Sequence, residues 1–215
     1  MKKSQTSDLQ PIALLEPVFD QCLTVFEALK IRRTSRAIGH RKIPLQILSD
    51  IFWAAQGINR LRGQGPFGSP GRTAGSASNS QEICLYAAIE EGTYLYEPES
   101  HRLNPVATGD VRALAIGAGQ GKAGATAPVR LIYVVDIERF KNAGFQEPGL
   151  HDPEIQKSYY FVDTGLIAQN VYLASASLGL ASWFHNCNKA AVAKELKLKP
   201  HQRPLFGHTI GYAED

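Results

Sequence analysis

Ile31-Arg-Arg-Thr-Ser-Arg-Ala-Ile38 gathers three arginines and two hydroxyls into five residues, and the organisation of the chain reads outward from it. A guanidinium is a planar fork of donors that matches the oxygens of a phosphate, and hydroxyls fill the acceptor positions left over. From Lys30 to Lys42 the chain carries six Lys/Arg and no acid, so the segment attracts an anion before any fine geometry is considered. Composition alone also allows a plainer reading, a solvated basic helix end.

The surroundings bound what the cluster can serve. With 215 residues, 44% hydrophobic and 20% charged, the chain suits a globular fold with an ample core. A formal net charge of +3 is too small for a dedicated nucleic-acid binder. No apolar run is long enough to span a bilayer, and Met1-Lys2-Lys3 leads into Ser-Gln-Thr-Ser-Asp with no hydrophobic region, so a cytoplasmic protein with no membrane partner is expected. Cys22, Cys84 and Cys187 are odd in number and widely spaced, which argues for a reducing compartment. The histidines show no metal-ligand spacing, and no metal is expected.

Residues 1–17 are polar and punctuated by proline, an N-terminal arm ahead of one domain over 18–215. Val18, Cys22, Val25, Phe26 and Leu29 predict a helix over Val18–Ile31 that ends near the arginines. Pro44 opens a second helix, which Gly57 stops. Asn59–Ser80 is rich in glycine and proline and predicts a long functional loop. It ends in Gly75-Ser-Ala-Ser-Asn-Ser-Gln81, where small residues allow close backbone approach to a flat ligand and amides can read its edge; an Asx-type turn into a strand fits equally. Ile83–Ile89 reads as a buried strand, and Glu91-Gly92 turns it into a hairpin with Tyr94 and Tyr96 on one face. Leu103 begins another extended piece, and Asp110–Ile116 reads as a short helix before a connector with Gly117, Gly119, Gly121 and Gly124. Val129–Ile137 is apolar on both faces, as a central strand is. Glu138–Tyr160 reads as a lid or surface connection. Asp163–Leu180 predicts a helix capped by Asp163 or Thr164, apolar nearly all round and rich in small residues, suited to a packed centre or subunit interface. A strand over Ala181–Phe184, a helix capped by Asn188 and a strand over Leu205–Ala213 close an α+β, three-layer α-β-α domain.

Four stretches in this order resemble the FMN-dependent nitroreductase family. Arg32-Arg33-Thr34-Ser35-Arg36 is similar to its Arg-Arg-Ser-x-Arg phosphate motif, with Thr34 in place of Ser. Gly75-Ser76-Ala77-Ser78-Asn79-Ser80-Gln81 resembles its Pro-Ser-Ala-x-Asn-x-Gln loop, with Gly75 in place of Pro. Asp163 to Asn170, continuing to Leu178-Gly-Leu-Ala-Ser182, resembles its interface helix and following strand, and Ile210-Gly211-Tyr212 its closing strand. The Arg60–Gln81 loop, the hairpin Gly92–Tyr96 with Glu97-Pro98, and Gln120 are more narrowly similar to the branch that includes azoline-oxidising dehydrogenases.

The resemblance implies a dimeric nitroreductase-like fold with a mostly antiparallel central sheet. It implies that Arg32, Arg33, Thr34 and Arg36 hold the FMN phosphate and ribityl chain from one subunit, while Gly75, Ser76, Ala77, Asn79 and Gln81 meet the ring from the other. Phe184, His185 and Asn186 correspond to the loop beside the ring's N5 edge. The chain lacks the late Lys/Arg pair that often touches the phosphate, because Tyr212 is followed only by Ala-Glu-Asp. The implied activity is two-electron, ping-pong transfer from NAD(P)H through FMN to a small organic acceptor such as a nitroaromatic or quinone. No residue is required as a general acid, and a structural role suits His185 better than proton transfer. Two other functions stay open: an FMN-dependent dehydrogenase of a specific substrate with little NAD(P)H activity, and an anion- or nucleic-acid-binding module using Lys30–Lys42.

Overall fold

A computed structural model describes residues 9–20, 22–64, 68–117 and 126–214. Gln120, Pro66 and the glycines at 119, 121 and 124 lie outside the described residues. In chain order the elements are β1 (Ile12–Ala13), α1 (Val25–Ile31), α2 (Leu45–Gln56), β2 (Ile58–Arg60), β3 (Gly71–Arg72), β4 (Ile83–Ala88), β5 (Gly92–Glu97), β6 (Arg102–Thr108), β7 (Val129–Asp136), α3 (Pro153–Ser177), β8 (Ala181–His185), α4 (Lys189–Glu195) and β9 (Gln202–Gly211). Seven strands form one antiparallel sheet in the order β1-β6-β5-β4-β7-β9-β8, and β2 and β3 form a separate two-stranded ladder.

β7 shows why the domain has three layers. Alternate side chains of a strand point to opposite faces. Val129, Leu131, Tyr133 and Val135 join a core with Leu48, Ile51 and Phe52 of α2 and Ile167, Ala168 and Val171 of α3. Ile132 and Val134 face the other way, against Cys84, Tyr86, Val111 and Val192 of α4. The sheet is thus buried on both sides, as the unbroken apolar run of β7 requires.

Four expectations change. The first helix covers Val25–Ile31 rather than Val18–Ile31, because Thr24 and Glu27 close a capping box that starts it there. Asp110–Ile116 forms turns instead of a helix, closed by Leu114 and Ala115 amides on the Val111 carbonyl. The long loop contains the β2–β3 ladder, where the Arg60 guanidinium occupies the space a side chain at Gly71 would need. The interface-like helix begins ten residues earlier than expected, at Pro153, because Asp152 caps it from outside and Pro153 fits its first position. Asp163 and Thr164 are therefore interior residues of α3, not caps. Its far end matches the glycine-terminated reading: Gly179 adopts φ +70° and the Leu180 amide reaches back to the Ser175 carbonyl.

The first described strand is paired to the sheet edge. Ile12 and Ala13 pair with Leu103 and Arg102, and Leu14 is buried. Among the described residues no helix is long and apolar enough to cross a membrane.

Candidate active site

Residues 31–39 run from the end of α1 as an extended connection stitched to the sheet. The Ser35 amide donates to the Ser182 carbonyl at 3.0 Å, the Gly39 amide to the Tyr212 carbonyl at 2.9 Å, and Ile38 pairs with Ala213. The guanidinium of Arg32 lies over the Tyr172 ring at 5.2 Å and that of Arg36 over the Trp183 ring at 5.3 Å. Among the described residues, Arg32, Arg33 and Arg36 form no ion pair, so their charge is left for a ligand. Arg32, Arg33, Ser35, Tyr172 and Ser182 line one cleft of about 590 Å³. Its donors are forked cations, and that set fits a phosphate group.

Tyr172 ties this cleft to the next loop, and residue type alone did not single it out. Its hydroxyl accepts the Phe184 amide at 2.8 Å and meets the Thr34 hydroxyl at 3.0 Å. One ring thus supports Arg32, Thr34 and the strand end that carries Phe184. Tyr172→Phe keeps the ring and removes both hydrogen bonds; it is expected to cost about 1 kcal/mol in a denaturant melt.

The predicted trio at the end of β8 divides. Phe184 packs among Tyr133, Phe206 and His208. Asn186 is exposed. His185 turns inward: its Nδ1 faces the Asn186 carbonyl oxygen and its Nε2 the Thr209 hydroxyl, both at 2.8 Å. The first contact places the ring proton on Nδ1, so Thr209 donates to Nε2. Burial lowers its pKa to about 4, so the imidazole is neutral at pH 7 and carries no proton to give as an imidazolium acid.

The second half-site is the Gly75–Gln81 segment. Ser78, Asn79 and Gln81 hold φ of +50°, +54° and +52°, a left-handed conformation that side chains avoid and that surrounding contacts must enforce. Those contacts are dense. The Ala77 amide donates to Asp163 Oδ2 at 2.8 Å and the Gln81 amide to the Ser76 hydroxyl at 3.0 Å. Asn79 Nδ2 donates to the Ser69 hydroxyl, and Gln81 Nε2 donates to Asn79 Oδ1 and the Pro70 carbonyl. Arg72 Nε donates to Gln81 Oε1 at 2.7 Å, and Arg139 to the Gln81 carbonyl at 2.9 Å. Ser69, Gly75, Ser76, Asn79, Arg60 and Phe145 line a cleft of about 540 Å³. The amides of Asn79 and Gln81 are spent largely on holding the loop, so its small side chains and backbone make the recognition surface.

The two clefts share no lining residue. Both are anchored to α3, one at Asp163 and the other at Tyr172, about 13.5 Å apart along the helix axis. At the chain's close, the Arg41 guanidinium lies over the Tyr212 ring at 3.2 Å.

An anion-suited cleft and a strained, amide-rich loop sit on one α-β-α frame. Residues 29–212 match the model of the nitroreductase family, and the chain belongs to that family. A Methanocaldococcus jannaschii protein with a provisional nitroreductase designation is 30% identical over 162 residues, 70% of this chain and 72% of its own. Among solved structures, a provisionally named nitroreductase from Ralstonia eutropha superposes with a TM-score of 0.83 at 28% identity, covering 99% of this chain and 93% of its own. The NADPH:FMN oxidoreductase of Vibrio harveyi, solved with NAD+, shares the fold at a TM-score of 0.60 and 20% identity, over 89% of this chain and 69% of its own.

Proposed function

We propose that this enzyme is a homodimeric FMN-dependent oxidoreductase that passes two electrons, in ping-pong fashion, from NAD(P)H to a small organic acceptor such as a nitroaromatic or quinone. Bound FMN supplies the hydride chemistry, while the protein binds, orients and covers it. Arg32, Arg33 and Arg36, with Thr34, hold the phosphate and ribityl chain. The Gly75–Gln81 loop presents Gly75, Ser76 and Ala77 to the ring, held by Asn79 and Gln81, and the Phe184–Asn186 backbone borders its edge. Residues 18–215 form this unit, residues 1–17 its arm, and the cytoplasm its setting.

The observation that carries the reading is the pair of clefts. Arg32 and Arg33, which form no ion pair among the described residues, line one, with Arg36 nearby in sequence over the Trp183 ring, and the strained loop lines the other. Their separation along α3 supports a flavin completed by two copies. So does the apolar surface beside them: Val25, Phe26 and Leu29 on α1, with Val162 and Leu166 on α3, are exposed, Phe26 by 84%. Arg32 and Arg33 share one cleft with Ser35 and Ser182, a donor set suited to a small phosphate.

The purified protein is expected to be yellow, and anaerobic NADH or NADPH is expected to bleach its visible absorbance. A colourless protein that takes up no added FMN would refute the reading. Flavin that resists both nicotinamides would instead indicate a substrate-oxidising dehydrogenase.

A further inference from the structure

We propose that Glu82 and Asp163 form a one-proton carboxyl couple that clamps the Gly75–Gln81 loop in its left-handed conformation, making them positioning residues for the surface that meets the flavin ring. The functional consequence rests on the ring-loop reading above; the clamp itself rests on contacts within the chain.

The two carboxyls come from separate elements, Glu82 just ahead of β4 and Asp163 in the middle of α3, and they are 0% and 4% exposed. Each takes one end of the loop. Asp163 Oδ2 accepts the Ala77 amide at 2.8 Å, and Glu82 Oε2 accepts the Ser80 hydroxyl at 2.6 Å. Between those ends lie Ser78 and Asn79, with Gln81 just beyond, the three residues in the left-handed region. Both carboxyls line one small void, and among the described residues neither forms an ion pair, so two carboxylates there would leave both charges uncompensated.

The contacts say which one carries the proton. A backbone amide favours the charged form of Asp163, whereas Glu82 Oε1 meets no donor at all. Glu82 is therefore the acid of the pair and Asp163 the carboxylate. Burial first, and then the charge of Asp163, raise the Glu82 pKa to about 8. The void beside Gln56, Ser76 and the two carboxyls measures about 10 Å³, room for one water at most, so solvent cannot compensate a second charge.

Arg72, Arg139, Cys84, Asp136, Tyr159 and Glu147 are the other titratable groups around the couple. Burial raises the Cys84 thiol, and the hydrogen bond to Glu147 raises the Tyr159 phenol, so both stay neutral through pH 8.5. Between pH 6.5 and 8.5 the change in charge falls on Glu82, and its ionisation sets two carboxylates against each other under the loop.

Hydrogen–deuterium exchange on the full apo chain, corrected for the intrinsic pH dependence of exchange and read over residues 75–81, tests the couple. Wild-type protection is expected to fall at least tenfold between pH 6.5 and 8.5. Glu82→Gln, neutral like the acid and still able to accept from Ser80, is expected to keep its protection at both values; Asp163→Asn, which replaces the acceptor of the Ala77 amide, is expected to lose it at both. Wild-type protection that stays flat, or a Glu82→Gln variant that falls in parallel, would overturn the proposal, whether or not Asp163→Asn folds. FMN titration of the same samples separates the two readings. If wild type takes up no FMN while the exchange pattern holds, the ring-loop reading fails and the clamp stands; if FMN binds and the pattern is missing, the clamp alone falls.

Discussion

The double variant Arg32→Leu/Arg36→Leu is expected to bind FMN roughly 10²- to 10⁴-fold more weakly than wild type. A hydrogen bond from a charged donor contributes about 1.5–3 kcal/mol, and the variant removes two such donors from one phosphate site. Among the described residues neither guanidinium is committed to an acid within the chain, so neither loss leaves a buried carboxylate stranded. What each does touch is an aromatic face, Tyr172 at 5.2 Å and Trp183 at 5.3 Å. Leucine keeps apolar contact with those rings, and the lost cation–π attraction is worth about 0.5–1 kcal/mol at such accessible sites. Folding and binding therefore separate. The melting temperature should move little while flavin stoichiometry after desalting collapses. Fluorescence titration with FMN, run beside a thermal melt, reads both quantities. A variant that copurifies with the wild-type complement of flavin would remove the arginines from the binding site.

Chemistry that resides in residue type was legible in the sequence; chemistry that arises from distant contacts was not. Arg32, Arg33 and Arg36 concentrate cations without acids, which the sequence shows directly, while the alternative of a solvated basic helix end is separated only by contacts. The alternation of β7 and the helical spacing of Leu48, Ile51, Phe52 and Ala55 likewise report their own burial. The early helix was extended too far because its apolar spacing continues through Val18 and Cys22. Periodicity does not mark a start, while the Thr24-x-x-Glu27 box does. That stripe is also largely solvent-facing in the single chain, which spacing cannot reveal. α3 was started too late for the opposite reason. Residues 153–162 lack a clean apolar stripe, and the Asp152-Pro153 signal was the cue that marked the true end. Tyr172 and Asp163 act on partners 138 and 86 residues away in sequence, Thr34 and Ala77, and no local pattern encodes such pairings. Glu82 beside Ser80 looks like any polar residue before a strand until its burial is known.

Glu82→Gln is expected to be more stable than wild type at pH 8.5, by about 2 kcal/mol more than at pH 6.5. Burial, and then the Asp163 charge, raise the folded-state pKa of Glu82 to about 8, above its ordinary value of 4.5. Over that interval the native chain binds a proton that the unfolded chain has released, so the stability that Glu82 contributes is fully present below 4.5 and is lost as pH rises towards 8. Asp163 is raised too, by burial, and acts with the same sign. His185 and His208 oppose them: burial lowers their pKa values to about 4 and about 3, so their contribution is present above pH 6.5 and is lost as pH falls. Below pH 6.5 the two histidines outweigh Glu82, and above it Glu82 acts without them, which places the wild-type maximum near pH 6.5. From there to pH 8 the loss is about 1.5 pH units at 1.36 kcal/mol each, or about 2 kcal/mol. Glutamine can keep the Ser80 hydrogen bond and cannot ionise, so its curve should stay level on the alkaline side while its acid limb, no longer opposed by Glu82, steepens. For a chain of this size the gap corresponds to about 4–8 °C in melting temperature. Denaturant midpoints at pH 6.5 and 8.5 measure it, and wild-type and Glu82→Gln curves that run parallel across that range would mean that Glu82 carries no proton in the folded protein.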